Sequence, residues 1–230
     1  MCHHLGVEPS GSPEDLVRAA RRHGVCDERV LAAVGGVRRE TFLTDEWRSL
    51  AYIDLGLPIP CGQVTQQPSL AAQMVESLRL TGEERVLEVG TGLGYQTALL
   101  AAVTREVYSI ERFRRLARLA REALRTAGVR NAAVVVGDGT RGLARFIPFD
   151  AVVVSAAAPE VPAALVEQLA AGGRLIQPIG RGDYCHVTGF VKSGERLEEV
   201  SDLVPAKFVP LVRRRIGFRR WSSCRDAASE

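Results

Sequence analysis

The sequence lacks any apolar run long enough for a bilayer-spanning helix, which takes about 20 residues, so no membrane span is expected. An apolar stretch is also missing near the start, where Met1 to Glu14 holds His, Gly, Ser and Pro; no signal-peptide core is expected. Cysteine is sparse: Cys2, Cys26, Cys61, Cys185 and Cys224 are scattered, odd in number and form no C-x-x-C. That argues against a disulfide framework and a zinc site, and for a reduced, cytoplasmic setting. Cys2-His3-His4 could hold a metal, but at a loose terminus it is expected to do nothing, so no metal is assigned. A net charge of +3 is too small by itself to imply nucleic acid. There is no internal repeat and no long linker, so the 230 residues read as one α/β domain of ordinary size with a short additional lobe. With 46% hydrophobic and 25% charged residues, the chain can bury a sizeable core.

What is present centres on Val86-Leu87-Glu88-Val89-Gly90-Thr91-Gly92-Leu93-Gly94-Tyr95. A short apolar run ends in three alternate glycines, and a periodic apolar segment from Tyr95 to Ala102 follows, which predicts strand, glycine turn, helix. Glycine permits a tight turn and close approach of a ligand to the backbone. The dinucleotide fingerprint is G-x-G-x-x-G, whereas here the pattern is E-x-G-x-G-x-G with Glu88 leading. An anion there suits a ligand with a positive end better than a diphosphate, and S-adenosylmethionine has an ammonium, a sulfonium and no phosphate. Glu111 ends the next apolar strand about 20 residues on, where a ribose-binding carboxylate falls in a Rossmann-like unit. Asp138, in Gly137-Asp138-Gly139, follows the strand after that. Three acids at three successive strand ends carry the reading further than the glycines do. A nicotinamide-dependent oxidoreductase is disfavoured by the same glycine spacing and by Glu88.

Residues 1–80 read as a helical region with a site loop, 81–212 as the ligand-binding Rossmann-like part, and 213–230 as a basic tail. Ser12-Pro13-Glu14-Asp15 starts a helix that runs to about Arg22, and Asp27 caps another. Pro58 and Pro60 lead into a polar loop, Cys61 to Pro68, beside a helix from Ser69 to Leu80. A helix is expected over Phe113 to Ala127 and a fourth apolar strand over Asp150 to Ser155. A helix from about Pro162 to Ala170 should be stopped by Gly172-Gly173 before a fifth strand, Arg174 to Pro178. Val187–Val191 and Leu197–Val200 read as an antiparallel hairpin, with one more short strand over Lys207–Val212. The arginines from Arg213 to Arg225, with Phe218 and Trp221, could hold nucleic acid but read better as a solvated tail.

With these residues in place the chain resembles the protein-L-isoaspartate (D-aspartate) O-methyltransferases from about Val30 to Val212. The resemblance rests on Tyr52-x-Asp54-x-x-Leu57-Pro58-Ile59, Gly62-Gln63 with Gln67-Pro68, the Glu88 glycine motif with Gly94-Tyr95-Gln96, and Gly137-Asp138-Gly139. It extends through Phe149-Asp150-Ala151, Ala156-Ala157-Ala158-Pro159, Gln168-Leu169-x-x-Gly172-Gly173 and Phe208-Val209-Pro210-Leu211. It implies a Rossmann-like class I methyltransferase fold: a doubly wound, mostly parallel sheet, helices on both faces and an antiparallel C-terminal hairpin. It implies a cytoplasmic enzyme that methylates isoaspartyl carboxylates of damaged proteins or peptides from S-adenosylmethionine, after which the ester cyclises to a succinimide. A monomer is expected.

The resemblance also implies site residues. Glu88, Gly90, Gly92 and Gly94 would receive the amino-acid end of the cofactor, Glu111 its ribose, and Asp138 and Gly139 its adenine, with Gln96 a further cofactor-binding residue. Asp54, Leu57, Ile59, Gln67, Ala157 and Val209 would bind substrate. One departure matters. The family loop usually reads Gly-Gln-Thr-x-Ser-Gln-Pro, and its serine is the residue named as active-site. Here Val64 replaces the threonine and Gln66 the serine, with Thr65 one position earlier. Thr65 or the Gln66 amide is therefore expected to supply the catalytic hydrogen bond. The altered loop also raises an alternative acceptor, an aspartate of one dedicated peptide in natural-product maturation, and a second alternative, a cofactor-binding module that has lost catalysis.

Overall fold

The computed structural model describes residues 11–181 and 184–213. The Cys2-His3-His4 cluster and nearly all of the basic tail lie outside the described residues. Two helices open the described chain, α1 (Pro13–Arg22) and α2 (Glu28–Gly36). α1 starts where Ser12 and Asp15 form a reciprocal capping box, and Asp27 caps α2 by accepting from the Arg29 amide at 2.8 Å. Two 3₁₀ turns, Arg39–Phe42 and Asp45–Leu50, lead to a small hairpin of β1 (Pro58–Ile59) and β2 (Gln63–Val64). Then come α3 (Pro68–Ser77), β3 (Arg85–Val89), α4 (Tyr95–Val103), β4 (Glu106–Glu111), α5 (Arg114–Thr126), β5 (Ala132–Val136), β6 (Phe149–Val154) and α6 (Ala163–Gln168). Three long strands close the fold: β7 (Leu169–Arg181), β8 (Tyr184–Ser193) and β9 (Arg196–Ala206).

Seven strands form one sheet in the order β5-β4-β3-β6-β7-β8-β9. The first five are parallel to their neighbours, and β8 and β9 run antiparallel. The central strands are mostly apolar because both faces are covered. Alternate residues divide between two cores. Val86, Val107 and Val153 pack with α1 to α5, whereas Leu87, Val89, Val152 and Val154 pack with Leu165 of α6. The first core takes in Leu16, Val30 and Met74 as well as Val187, so the N-terminal helices and the sheet share one interior. No helix among the described residues is long and apolar enough to cross a membrane.

Three expectations need correction. α6 ends at Gln168, and Gly172-Gly173 lie within β7 rather than stopping a helix. Phe149 pairs with Leu169 and Ala151 with Arg174, so the intervening residues bulge. A Cβ on Gly173 would lie 2.9 Å from the carbonyl oxygens of Ala170 and Asp150, so that bulge has room only for glycine. The C-terminal hairpin is longer than expected, because its polar outer residues hide the strand pattern. Lys207–Val212 is not a strand. Pro210 forms only an isolated bridge to Ala157.

Arg39 fixes the segment that leads to the site loop. It is 1% exposed and its guanidinium donates to the carbonyls of Ala51 (3.0 Å), Ile53 (2.8 Å) and Leu55 (2.7 Å). It also lies 5.8 Å from the Tyr95 ring centroid and reaches the Thr65 hydroxyl at 3.5 Å. Burial lowers its pKa to about 10, which still leaves it charged at neutral pH. Each carbonyl left without a donor costs about 1–3 kcal/mol. The Ile53 carbonyl keeps the Leu55 amide at 2.8 Å, so Arg39→Met, which strips the donor from Ala51 and Leu55, should lower unfolding free energy by about 2 kcal/mol in urea; an unchanged midpoint would contradict this role.

Candidate active site

The order of strands reverses at β3, which lies between β4 and β6. In such sheets ligands bind beyond the carboxyl ends of the strands at this switch point. Gly90 follows β3 there, and Ser155 follows β6. A Cβ on Gly90 would lie 3.3 Å from the Ser155 Cβ. Gly90, Gly92 and Gly94 have φ of 98°, 58° and 98°, a region that favours glycine. Phosphate-binding glycine loops point free amides at the anion. Here the three glycine amides are spent internally. Gly90 donates to the Ile110 carbonyl at 2.8 Å, Gly92 to the Glu111 carboxylate at 2.9 Å, and Gly94 to the Thr91 carbonyl at 2.9 Å.

The acids sit at the ends of the neighbouring strands β3, β4 and β5, but they present themselves differently. Glu111 takes the Gly92 amide on one oxygen and the Phe113 amide on the other, both at 2.9 Å. Burial raises its pKa, against the lowering effect of those amides. Asp138 accepts from the Thr140 amide at 3.0 Å and its hydroxyl at 2.7 Å, capping a short turn. A Cβ on Gly139 would meet Val89 at 2.3 Å, so the backbone after β5 can approach β3 only as glycine. Glu88 departs from expectation: its side chain is 0% exposed and has no cleft-facing surface. It shares strand parity with Val86 and so faces α4 rather than the strand end. Thr97 and Ser109 donate to one of its oxygens at 2.5 Å, and Gln96 to the other at 3.2 Å. Gln96 is likewise buried, and its amide spans Glu88 and Ser155.

Beside the glycine turn lies a cavity of about 500 Å³ between the 64–73 loop and helix, Ser155, and the 204–209 segment. Of the expected catalytic and substrate residues, Thr65, Gln66, Gln67 and Val209 line it. The Thr65 hydroxyl accepts from the Leu57 amide at 2.9 Å, and the Gln66 amide rests on the Met74 sulfur at 3.2 Å. The other four expected substrate residues support the walls. Asp54 accepts from Gln67 at 2.7 Å and from the Ser69 amide at 2.8 Å. Leu57 is 2% exposed in a separate core with Leu43 and Leu50. Ile59 packs on Leu93 and Leu116 and would be 3.6 Å from a Cβ on Gly92, tying the hairpin to the turn. Ala157 exchanges backbone bonds with Val209 and Leu211, which anchors the far wall. The sequence reading missed Ser155 and Arg39 as site-forming residues. Ser155 could have been suspected as the one polar residue closing an otherwise apolar strand; Arg39 carried no signal.

Comparison with known proteins agrees with this geometry. The family model for protein-L-isoaspartate (D-aspartate) O-methyltransferase matches residues 11–216. Protein-L-isoaspartate O-methyltransferase 1 of an Anaeromyxobacter species is 48% identical over 199 residues, covering 86% of this chain and 94% of that protein. A solved protein-L-isoaspartate O-methyltransferase is 31% identical with a TM-score of 0.78, over 86% of this chain and 65% of that one. A Plasmodium falciparum protein described as a member of the same family, solved with S-adenosyl-L-homocysteine, shares the fold at 23% identity and a TM-score of 0.73, over 89% of this chain and 100% of that one.

Burial pushes the Glu88 pKa up to about 7, against three donors that favour its charge. A carboxyl whose folded pKa is raised from 4.5 contributes stability that is complete below 4.5 and is lost as pH rises through 7. That shift corresponds to about 3 kcal/mol. Glu88→Gln cannot ionise, so the stability of the native protein relative to this variant should fall by about 3 kcal/mol between pH 4.5 and pH 8. Parallel pH profiles in urea unfolding would contradict the assignment.

Proposed function

The chain belongs to the protein-L-isoaspartate (D-aspartate) O-methyltransferase family, and from that premise we propose how its residues perform the family's reaction. The protein methylates the free carboxylate of L-isoaspartyl and D-aspartyl residues in damaged proteins, using S-adenosylmethionine, and so initiates repair through a succinimide. The observation that carries this reading is the glycine turn, whose three glycine amides are engaged while the Glu111 carboxylate lies against it. Those residues fit a cationic, phosphate-free nucleoside ligand. When bound, that cofactor supplies a methyl group already activated on a sulfonium.

The roles of the chain's own groups follow. The glycine turn, with the buried Glu88 carboxyl and Gln96 behind it, holds the amino-acid end. Glu111 takes the ribose hydroxyls on its remaining lone pairs, and Asp138 and Gly139 flank the base. Thr65, Gln66 and Gln67 face the peptide from one side and Val209 from the other. The acceptor carboxylate, with an ordinary pKa near 4, is already ionised at neutral pH and needs no general base. The protein's work is to align and to exclude water, and orientation of this kind is worth roughly 7–11 kcal/mol. Residues 1–80 would form the substrate side and 81–212 the cofactor side of one enzyme. A monomer in the cytoplasm, without a nucleic-acid partner, completes the proposal; the scattered cysteines and the net charge of +3 support the last two points.

Single-turnover transfer from S-adenosylmethionine to matched isoaspartyl and aspartyl peptides checks the reading. The isoaspartyl peptide should be methylated at least about a hundredfold faster, equivalent to about 3 kcal/mol of discrimination. Methylation of the aspartyl peptide alone would contradict it.

A further inference from the structure

The reaction needs a donor that points the acceptor oxygen at the methyl group. Of the two loop candidates, the Thr65 hydroxyl is pinned by the Leu57 amide and the Arg39 guanidinium, from both of which it accepts, and the Gln66 amide rests on Met74. Ser155 lies differently. It lines the cavity and also packs on Gly90, so its hydroxyl stands at the seam between the cofactor turn and the peptide cavity. Its Oγ accepts from Gln96 Nε2 at 3.0 Å, and the same nitrogen donates to Glu88 at 3.2 Å. The opposite amide orientation would turn the Gln96 carbonyl oxygen onto Glu88, a repulsive contact once Glu88 is ionised. With its lone pair committed to Gln96, the Ser155 hydroxyl has one proton left to give. Among the described residues it meets no acceptor.

Resting on the function proposed above, we propose that Ser155 is a catalytic residue that donates a hydrogen bond to the acceptor carboxylate, with Gln96 and Glu88 as the positioning residues that aim it. The bond to one carboxylate oxygen holds that group while its other oxygen attacks. An oxygen lone pair forms the new O–CH₃ bond, the C–S bond breaks with its pair left on sulfur, and carboxylate and sulfonium become neutral ester and thioether. No proton is transferred, so the hydroxyl keeps its proton throughout. The same geometry explains how a loop with glutamine at position 66 can serve: the orienting hydroxyl comes from the end of β6 instead.

The test is single-turnover methyl transfer to an isoaspartyl peptide by the full chain, with S-adenosylhomocysteine affinity measured in parallel. Ser155→Ala should slow transfer about ten- to a hundredfold while the Kd for S-adenosylhomocysteine stays within about threefold. Ser155→Thr, which keeps the hydroxyl, should recover most of the rate. Transfer by Ser155→Ala within about twofold of the native rate, a parallel loss of cofactor affinity, or a threonine variant as slow as the alanine one would each overturn the proposal. A native protein that binds cofactor yet transfers nothing to the peptide would instead overturn the proposed function.

Discussion

A glycine turn that has already used its own amide protons governs this site. In phosphate-binding loops those protons are the binding surface. Here Ile110, Glu111 and Thr91 take the three glycine protons, and the Glu111 carboxylate brings negative charge against the turn. The turn can be this tight because glycine occupies each left-handed position, and it is held in place by the carboxylate of Glu111 on the neighbouring strand. A positively charged nucleoside suits that set of hydrogen bonds better than a phosphate does.

The proposed peptide side is tied to that turn mechanically. Ile59 presses the β1–β2 hairpin onto it, and Arg39 secures the approach to the hairpin by gathering three carbonyls that have no strand or helix partners. On the opposite side, the bridge between Ala157 and Pro210 holds the 208–211 segment over the strand ends. Ser155 and Gln96 connect the two halves. Buried Glu88 orients Gln96, and Gln96 orients Ser155. A low-dielectric interior strengthens such a chain of bonds and makes any break in it costly.

Much of this was legible in the sequence because the central strands are covered on both faces and so leave continuous apolar runs. The helix starts were equally plain, since Ser12, Asp15 and Asp27 are capping residues in capping positions. The edge of the sheet was less so. β9 mixes half-buried and exposed residues without strict alternation and carries Glu198, Glu199 and Asp202, which hide a strand of eleven residues. Gly172-Gly173 signalled a helix stop but serves a bulge, a distinction that only pairing with β6 reveals. Glu88 was read by its place in the motif, although its parity with Val86 already assigned it to the helix-covered face. Ser155 and Arg39 could not be valued from local pattern, because their importance comes from what the topology brings beside them: Gly90 for one and three distant carbonyls for the other.

The central claim is that the turn accepts a cationic nucleoside and refuses a phosphorylated one. Isothermal titration calorimetry of the full chain with S-adenosylmethionine and, separately, with NAD tests it directly. Saturable binding of the first and none of the second at millimolar concentration is the predicted result. NAD binding as tightly as S-adenosylmethionine would contradict the account.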